Sequence, residues 1–419
     1  MIAYDAALRA VLAHAAPLPS RRAGIDDARN AVLARPVRAR WDMPRFAQSS
    51  VDGFGVKTAD VARAVPRRPA TLVLAGVVRA GERPRGRLRA GTAVKIMTGA
   101  RVPPGVEAIV MREHCRERDG AVHIAASARP GENIRRRGEE LRRGEPVLPA
   151  GARVTPPVAG VLASFGLSAV PVHGTPRVAV VTTGDELRAL GQRLSGDGIY
   201  DSISHALDAA LSAMGIAVRS VARVRDDKAA LARALAGALA AHDVVLTAGG
   251  VSVGDYDHVK EALAALDVEP VFWRVAMRPG KPTFFGVRRP PRRARCAPPR
   301  ARRATLVFGL PGNPVSALVA FATLAAPALR AMMGAREAAP IFVPAVLRGT
   351  LRKEAGHIGW VRGVLAATRG LPAVAPCRAQ GSHMLSGLAG ADCLIRFPRN
   401  ATCLARGARV AVLPLPWSP

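Results

Sequence analysis

Lysine is scarce in this sequence. Six of its 61 basic residues are lysines, at positions 57, 95, 228, 260, 281 and 353, and the others are arginines. Against 31 acidic residues this gives a formal charge of +30. So one-sided a choice of cation reads as compositional drift as much as a selected surface, and the charge alone names no partner. Aromatic residues make up 4% of the chain, which leaves few platforms for stacking bases, and no nucleic-acid reader motif accompanies the charge. The five cysteines, at 115, 296, 377, 393 and 403, contain no C-x-x-C pair. An odd, scattered set does not read as a disulfide framework or a cysteine zinc site. The nine histidines show no metal-ligand spacing. Long apolar runs are also missing: residues 315–329 are interrupted by Ser316, Thr323 and Pro327, short of the roughly 20 residues a spanning helix needs. Asp5 and Arg9 fall inside the apolar pattern of the N-terminal stretch, which gives it helical spacing rather than the unbroken core of a signal peptide. A soluble, cytoplasmic protein that contacts no membrane is the expectation. Neither a Walker A motif nor G-x-G-x-x-G occurs, which weighs against an ordinary NTPase or dinucleotide enzyme.

What is present suggests several domains. Apolar residues are 49% of the 419, enough for several cores, and length alone suggests about three domains. Helical spacing predicts a short amphipathic helix over 3–14 and a second over 25–35, ending before Pro36. Between about 40 and 150, short Val/Ile/Leu runs alternate with Gly and Pro, the pattern of an all-β module. From 176 to 335 the rhythm changes. Strands at 177–183, 218–224, 243–248, 271–273 and 305–309 alternate with helices at 200–214, 228–241, 257–266 and 314–333, which predicts a parallel sheet covered on both faces. Short strands return after about 340 and predict a small β domain. Residues 288–303 hold eight Arg, four Pro and no acid, and read as an exposed loop.

In an open α/β sheet, ligands bind beyond the carboxyl ends of the strands. Four strand ends here supply TTGDEL (182–187), RDD (225–227), GGVSVGDYD (249–257) and GLPGNPVS (309–316). Their glycines would let backbone N–H groups approach a phosphate at a helix N-terminus. Carboxylates beside phosphates usually imply a bridging Mg²⁺. Each turn taken singly could equally be an ordinary strand-to-helix turn with Asp or Ser as an N-cap; four on one edge point toward a nucleotide-like or pterin-phosphate site. In the β module, SSVDGFGV (49–56) joins an acid to a glycine turn, IMTGARVP (96–103) places a hydroxyl at a strand end, and GENIRRRGEE (131–140) mixes three Arg with acids. All three are also compatible with plain turns or a solvated loop.

These motifs, together with RPGKP (278–282) and GLPGNPVSA (309–317), occur in one order from about residue 2 to the C-terminus, and the sequence resembles the molybdopterin molybdenumtransferase family (MoeA and the E domain of gephyrin). The resemblance implies a multi-domain α/β plus β fold. Residues 1–19 and 171–339 would form a central parallel-sheet α/β domain similar to the molybdopterin-adenylylating proteins. Residues 20–38 and 145–170 would form a dimerising region, 39–144 the β module and 340–419 a C-terminal β domain. It implies a homodimer that uses Mg²⁺, takes adenylylated molybdopterin and molybdate as substrates, inserts the metal and releases AMP. Molybdopterin adenylyltransferase and molybdenum-enzyme maturation proteins would be partners; no specific nucleic acid is implied.

Carried over motif by motif, the catalytic set would be Asp52, Thr98, Glu140, Glu186, Asp226 and Asp257. Glu186, Asp226 and Asp257 would serve the Mg²⁺ and adenylyl-phosphate region, while Asp52, Thr98 and Glu140 would line the cleft from the partner chain. Substrate would meet Gly249, Gly250 and Ser252, the basic Arg274, Arg278 and Lys281, the loop of Pro311, Gly312 and Pro314 leading to Ser316, and Arg362 and Ser382 of the C-terminal domain. Tetrahedral oxyanions suit such Lys, Arg and hydroxyl donors. The sequence departs from the family pattern at Val51 (usually Met), Phe54 (usually Tyr), Glu140 (commonly Asp), and Arg274 and Arg278 (commonly Lys); the 288–303 insert is extra. An adenylyltransferase sharing the α/β domain, a nucleic-acid-binding protein and a scaffold are the competing readings. The first would show a GGTG-type loop where this chain has Gly249-Gly-Val-Ser.

Overall fold

The computed structural model describes residues 1–249, 258–290 and 303–417, which fall into two units. One comprises Met1–Arg35, Ala150–Gly160 and Leu167–Pro419; the other comprises Pro36–Pro149 and Val161–Gly166.

In the larger unit, α1 (Tyr4–His14) buries Tyr4, Ala7 and Val11, the single stripe its spacing dictates. Six strands form one sheet: β1 (Val178–Thr183), β2 (Val218–Val224), β3 (Val244–Ala248), β4 (Val268–Trp273), β5 (Phe284–Arg288) and β6 (Thr305–Leu310), in the order β2-β1-β3-β6-β5-β4. β2, β1, β3 and β6 run parallel. α2 (Ser202–Ala213), α3 (Lys228–Ala241), α4 (His258–Ala265) and α5 (Pro314–Met332) cover the sheet. Every residue of β1, β3 and β6 is buried, because helices pack on both faces and leave no side of the strand wet. Val178, Val180 and Leu246 point toward Leu207, Leu211 and α5. Ala179, Val181 and Val245 point the other way, toward Leu231 and Leu235 of α3 and Val259 and Leu263 of α4.

The sheet is mixed at one edge: β5 runs antiparallel to both β6 and β4. The alternation of strands and helices does not announce β5, since antiparallel neighbours need no crossover helix. The 288–303 insert therefore joins two antiparallel neighbours; its residues 291–302 lie outside the described ones. α5 has a mean hydropathy of 1.6 over 19 residues, long and apolar enough to cross a membrane by composition, but it is 89% buried inside the protein. It is the central core helix, with a π-helical stretch at Phe321–Ala325. Tyr4 reaches it from α1, donating its hydroxyl to the Thr323 carbonyl at 3.1 Å.

The helix expected over 25–35 does not form. Ser20–Gly24 is a strand paired with Ala169–His173, and Val32 and Leu33 bridge to Arg153 and Val172. Asn30 takes a left-handed φ of 62°, which no continuous α-helix accommodates. Backbone pairing with distant segments overrides the local apolar spacing.

The C-terminal strands of the same unit close into a barrel. Ile358–Ala366 pairs with Ala373–Pro376, then Val343–Leu347, Arg409–Pro414 and Cys393–Phe397, which returns to Ile358–Ala366. Met277–Arg278 adds to it beside Ile358 and Gly359. Trp360 is buried against the Tyr4 ring, centroids 5.1 Å apart and edge-on.

The smaller unit is the expected β module. Its sheet runs Ala108–Met111, Gly53–Val56, Thr92–Ile96, Ala70–Val78, Ala121–Ile124, Cys115–Arg118. Only Ala70–Val78 and Thr92–Ile96 are parallel within it.

Candidate active site

A cavity of about 600 Å³ opens beyond the carboxyl ends of β2, β1, β3 and β6, the four adjacent parallel strands. Thr183, Glu186, Asp226, Gly249, Gly312 and Asn313 are among its lining residues. The register explains the convergence. Thr183 lies opposite Val224 in β2, so Asp226 follows two residues beyond. Gly249 ends β3 at φ 94°, and a Cβ there would meet the Thr183 carbonyl oxygen at 2.4 Å. Gly312 packs within 3.5 Å of the Gly249 Cα, measured from its own would-be Cβ. Gly249 thus brings its loop closer to Thr183 than any side chain would permit, while a Cβ on Gly312 would make an ordinary van der Waals contact with Gly249.

Adjacent acids in these loops have different surroundings. The Thr183 hydroxyl donates to Asp226 Oδ1 at 2.5 Å, which orients that carboxylate at the cavity wall. Asp227, next in sequence, caps α3 by accepting from the Ala230 N–H at 2.6 Å. Asp185 accepts from the Asp226 N–H at 3.3 Å and pairs with Arg225 at 3.6 Å, tying the first loop to the second. Glu186 folds its carboxylate over Gly184, whose missing Cβ leaves the room. Asp201 also lines the cavity, but it is buried and fully engaged. It accepts from the Ser204 N–H at 3.0 Å and the Thr182 hydroxyl at 2.8 Å, and it forms an ion pair with Arg223 at 3.4 Å. Burial pushes its pKa up, and those partners more than offset the push, holding it below the ordinary carboxylate value. Asp201 therefore holds the wall together and caps α2.

The basic residues stand elsewhere. Arg274, Arg278 and Lys281 do not line the cavity, although Pro282, directly after Lys281, does. Arg278 and Lys281 are exposed, and Arg274 is half-buried at a left-handed φ of 68°. Arg362, expected as an oxyanion contact, does not line this cavity. Its side chain has no exposed surface, and its Nε and one terminal nitrogen donate to the Ala379 carbonyl at 3.0 and 2.6 Å. Pro311, Gly312 and Pro314 line the cavity; Ser316 is buried in α5. Ser382 is half-buried and hydrogen-bonded by Asn313 at 3.4 Å. Gly250, Ser252 and Asp257 lie outside the described residues. His383, at the cavity wall, carries no motif signal that would mark it; its neighbour Ser382 is the nearest pointer.

In the smaller unit, Asp52 and Thr98 come together across neighbouring turns. Asp52 Oδ1 accepts from the Thr98 N–H and from its hydroxyl, both at 2.7 Å. The backbone donor chiefly, then the hydroxyl, holds the Asp52 carboxyl below its usual range. Glu140 is exposed on the wall of another cavity, of about 580 Å³, with Trp41, Arg45 and Arg135 among its lining.

Among the described residues, no three His, Cys, Asp or Glu are grouped to hold a metal. Glu186, Asp226 and the threonine hydroxyls are all hard oxygen donors. That set fits Mg²⁺, which takes one or two carboxylates and keeps water or phosphate oxygens in its other positions.

Comparison with known proteins places this geometry. Family models match along the chain: "MoeA N-terminal region (domain I and II)" over residues 2–166, "Probable molybdopterin binding domain" over 179–331, and "MoeA C-terminal region (domain IV)" over 344–415. The chain is 34% identical over 390 residues to a molybdopterin molybdenumtransferase of Nostoc sp., covering 92% of this chain and 86% of that one. It is 36% identical over 393 residues to molybdopterin molybdenumtransferase 2 of Mycobacterium tuberculosis, covering 93% of each. A solved structure of a molybdopterin biosynthesis MoeA protein from Pyrococcus horikoshii superimposes with a TM-score of 0.76 at 27% identity over 99% of both chains. With the motifs, the fold and the relatives in agreement over nearly its whole length, the chain belongs to the MoeA family of molybdopterin molybdenumtransferases, enzymes of molybdenum cofactor biosynthesis.

Proposed function

We propose that this transferase takes adenylylated molybdopterin and molybdate, inserts the metal into the dithiolene of the pterin and releases AMP, with Mg²⁺ as its cofactor. The observation that carries the reading is the pair of carboxylates, Glu186 and Asp226, set among small and hydroxyl residues beyond four adjacent parallel strand ends. Glu186 and Asp226, with Asp257, would hold Mg²⁺, which when bound offsets charge on the adenylyl phosphate and polarises it. The chain's own part is positioning and electrostatics. Thr183 fixes the Asp226 carboxylate by its hydroxyl. Gly249, which packs against the Thr183 carbonyl where a Cβ would clash, and Gly312 at the cavity wall would offer backbone N–H groups to the ligand. Arg274, Arg278 and Lys281 would meet the terminal phosphate or molybdate, and Asp52, Thr98 and Glu140 would act on the same substrate from the second chain of a homodimer. The division into four domains, a cytoplasmic setting, and hand-over from an adenylyltransferase and onward to maturation proteins belong to the same proposal.

The test is AMP release from adenylylated molybdopterin supplied with molybdate and Mg²⁺. The wild-type chain should release AMP, and Asp226→Asn should lower the rate by about 100-fold with its fold kept by circular dichroism. No AMP from the wild type would overturn the proposal; full rate in Asp226→Asn would remove the Mg²⁺ assignment. Formation of adenylylated pterin from molybdopterin and ATP would instead favour an adenylyltransferase.

A further inference from the structure

Arg362 is fully buried and does not line the cavity, but its bonds lead to the cavity by another route. Besides the Ala379 carbonyl, its guanidinium donates to the Gly381 carbonyl at 3.2 Å. Its backbone is clamped from the same segment. The Arg362 N–H donates to Gln380 Oε1 at 3.1 Å, and Gln380 Nε2 donates back to the Arg362 carbonyl at 2.9 Å and to the Cys377 carbonyl at 2.8 Å. A Cβ on Gly387 would meet the Ala379 oxygen at 2.3 Å, so the following helical turn presses on the segment from its other side. Residues 377–381 are thereby fixed to the barrel strand Ile358–Ala366 from several directions.

The next two residues cross to the α/β sheet. Val315, the first residue of α5 with an N–H, donates it to the Ser382 carbonyl at 3.2 Å, satisfying a helix-start donor that has no partner within its own helix. Asn313, the N-cap, does not cap with its side chain; its Nδ2 donates to Ser382 Oγ at 3.4 Å instead. His383 follows, exposed at the wall of the cavity with Glu186 and Asp226.

We infer that Arg362 and Gln380 are positioning residues that lock a barrel segment against the start of α5, and that the residue so presented, His383, is a direct contact of the anionic ligand. The inference rests on the adenylyl-phosphate reading of the cavity for its ligand, and on the hydrogen bonds alone for the lock. An imidazole N–H supplies a donor to a phosphate oxygen on a wall otherwise furnished with carboxylates and hydroxyls.

Two measurements separate the parts. Amide hydrogen exchange on the full chain reads the lock. Gln380→Ala, at an exposed side chain, and Arg362→Lys should each speed exchange at residues 378–383 and at the Val315 amide by about tenfold, with the thermal midpoint of Gln380→Ala unchanged. Unaltered exchange in both overturns the positioning role, and Gln380→Ala keeps the test decisive if Arg362→Lys fails to fold. Calorimetric titration with AMP reads the contact. His383→Ala should weaken binding about tenfold with exchange as in the wild type, His383→Gln should recover part of it, and Gln380→Ala should raise the KM for the adenylylated pterin about tenfold. Unchanged AMP affinity in His383→Ala, or no AMP binding by the wild type, overturns the contact. A wild type that binds AMP and shows the exchange pattern but releases none from the adenylylated pterin would sink the proposed reaction and leave this inference standing.

Discussion

Asp226 and Asp227 carry the same carboxyl group on consecutive residues, and their surroundings give them different tasks. Asp227 satisfies an α3 amide; Asp226 is turned to the cavity by Thr183. Asp227→Ala should lower the free energy of unfolding by about 1 kcal/mol, the usual cost of a lost N-cap, and leave AMP release within a factor of two. Urea unfolding and the release assay read the two quantities. A larger loss of AMP release than of stability would place Asp227 in the site. The same division recurs at Asp185 and Glu186. Of the residues that motif order singled out, Asp226 and Glu186 line the cavity, and within the group of Asp52, Thr98 and Glu140 the first two are hydrogen-bonded to each other. Motif order could not show that Arg362 is buried, because burial depends on strands that close around it from residues 343 to 414. Nor could it find His383, which carries no motif of its own and lies at the cavity wall next to Ser382, the residue that Asn313 and Val315 bond.

At the scale of elements, local pattern served best where an element's neighbours agree with it. β1, β3 and β6 are buried throughout because both faces are covered, and their largely apolar runs were legible for that reason. β5 was missed because its antiparallel pairing follows from the return of the chain rather than from a helix between strands. The segment at 25–35 has helical spacing but finds partners at 152–154 and 171–172, and extended pairing wins. Glycine marks the close approaches. A Cβ on Gly53, directly after Asp52, would lie 2.1 Å from the Val110 carbonyl oxygen in the neighbouring strand. No rotamer change relieves a clash with backbone, so Gly53→Ala should destabilise the β module by about 1–3 kcal/mol. A urea midpoint equal to that of the wild type would show that the two strands can part without cost.

For the whole molecule, the charge of +30 is not concentrated at the cavity. The cavity wall among the described residues is acidic and hydroxylic, while Arg278 and Lys281 stand exposed outside it. A strongly basic surface can still draw in anionic substrates at long range, but it does not define the site. If the proposed homodimer forms, light scattering at micromolar concentration should give about twice the 43.9 kDa of one chain; a single-chain mass would leave Asp52, Thr98 and Glu140 without the cleft proposed for them.

The sequence by itself determined the alternation of strands and helices in the parallel part of the α/β sheet, the β-rich stretches before and after it in the chain, and the four glycine- and acid-bearing strand ends. Such features arise from side-chain periodicity and turn chemistry that act within a few residues. Tertiary structure alone decided what holds each acid in place, that Arg362 is buried with its guanidinium on the Ala379 and Gly381 carbonyls, and that His383 joins Glu186 at one wall. Those outcomes depend on burial and on hydrogen-bond partners more than 15 residues away, brought together only when sheet and barrel close.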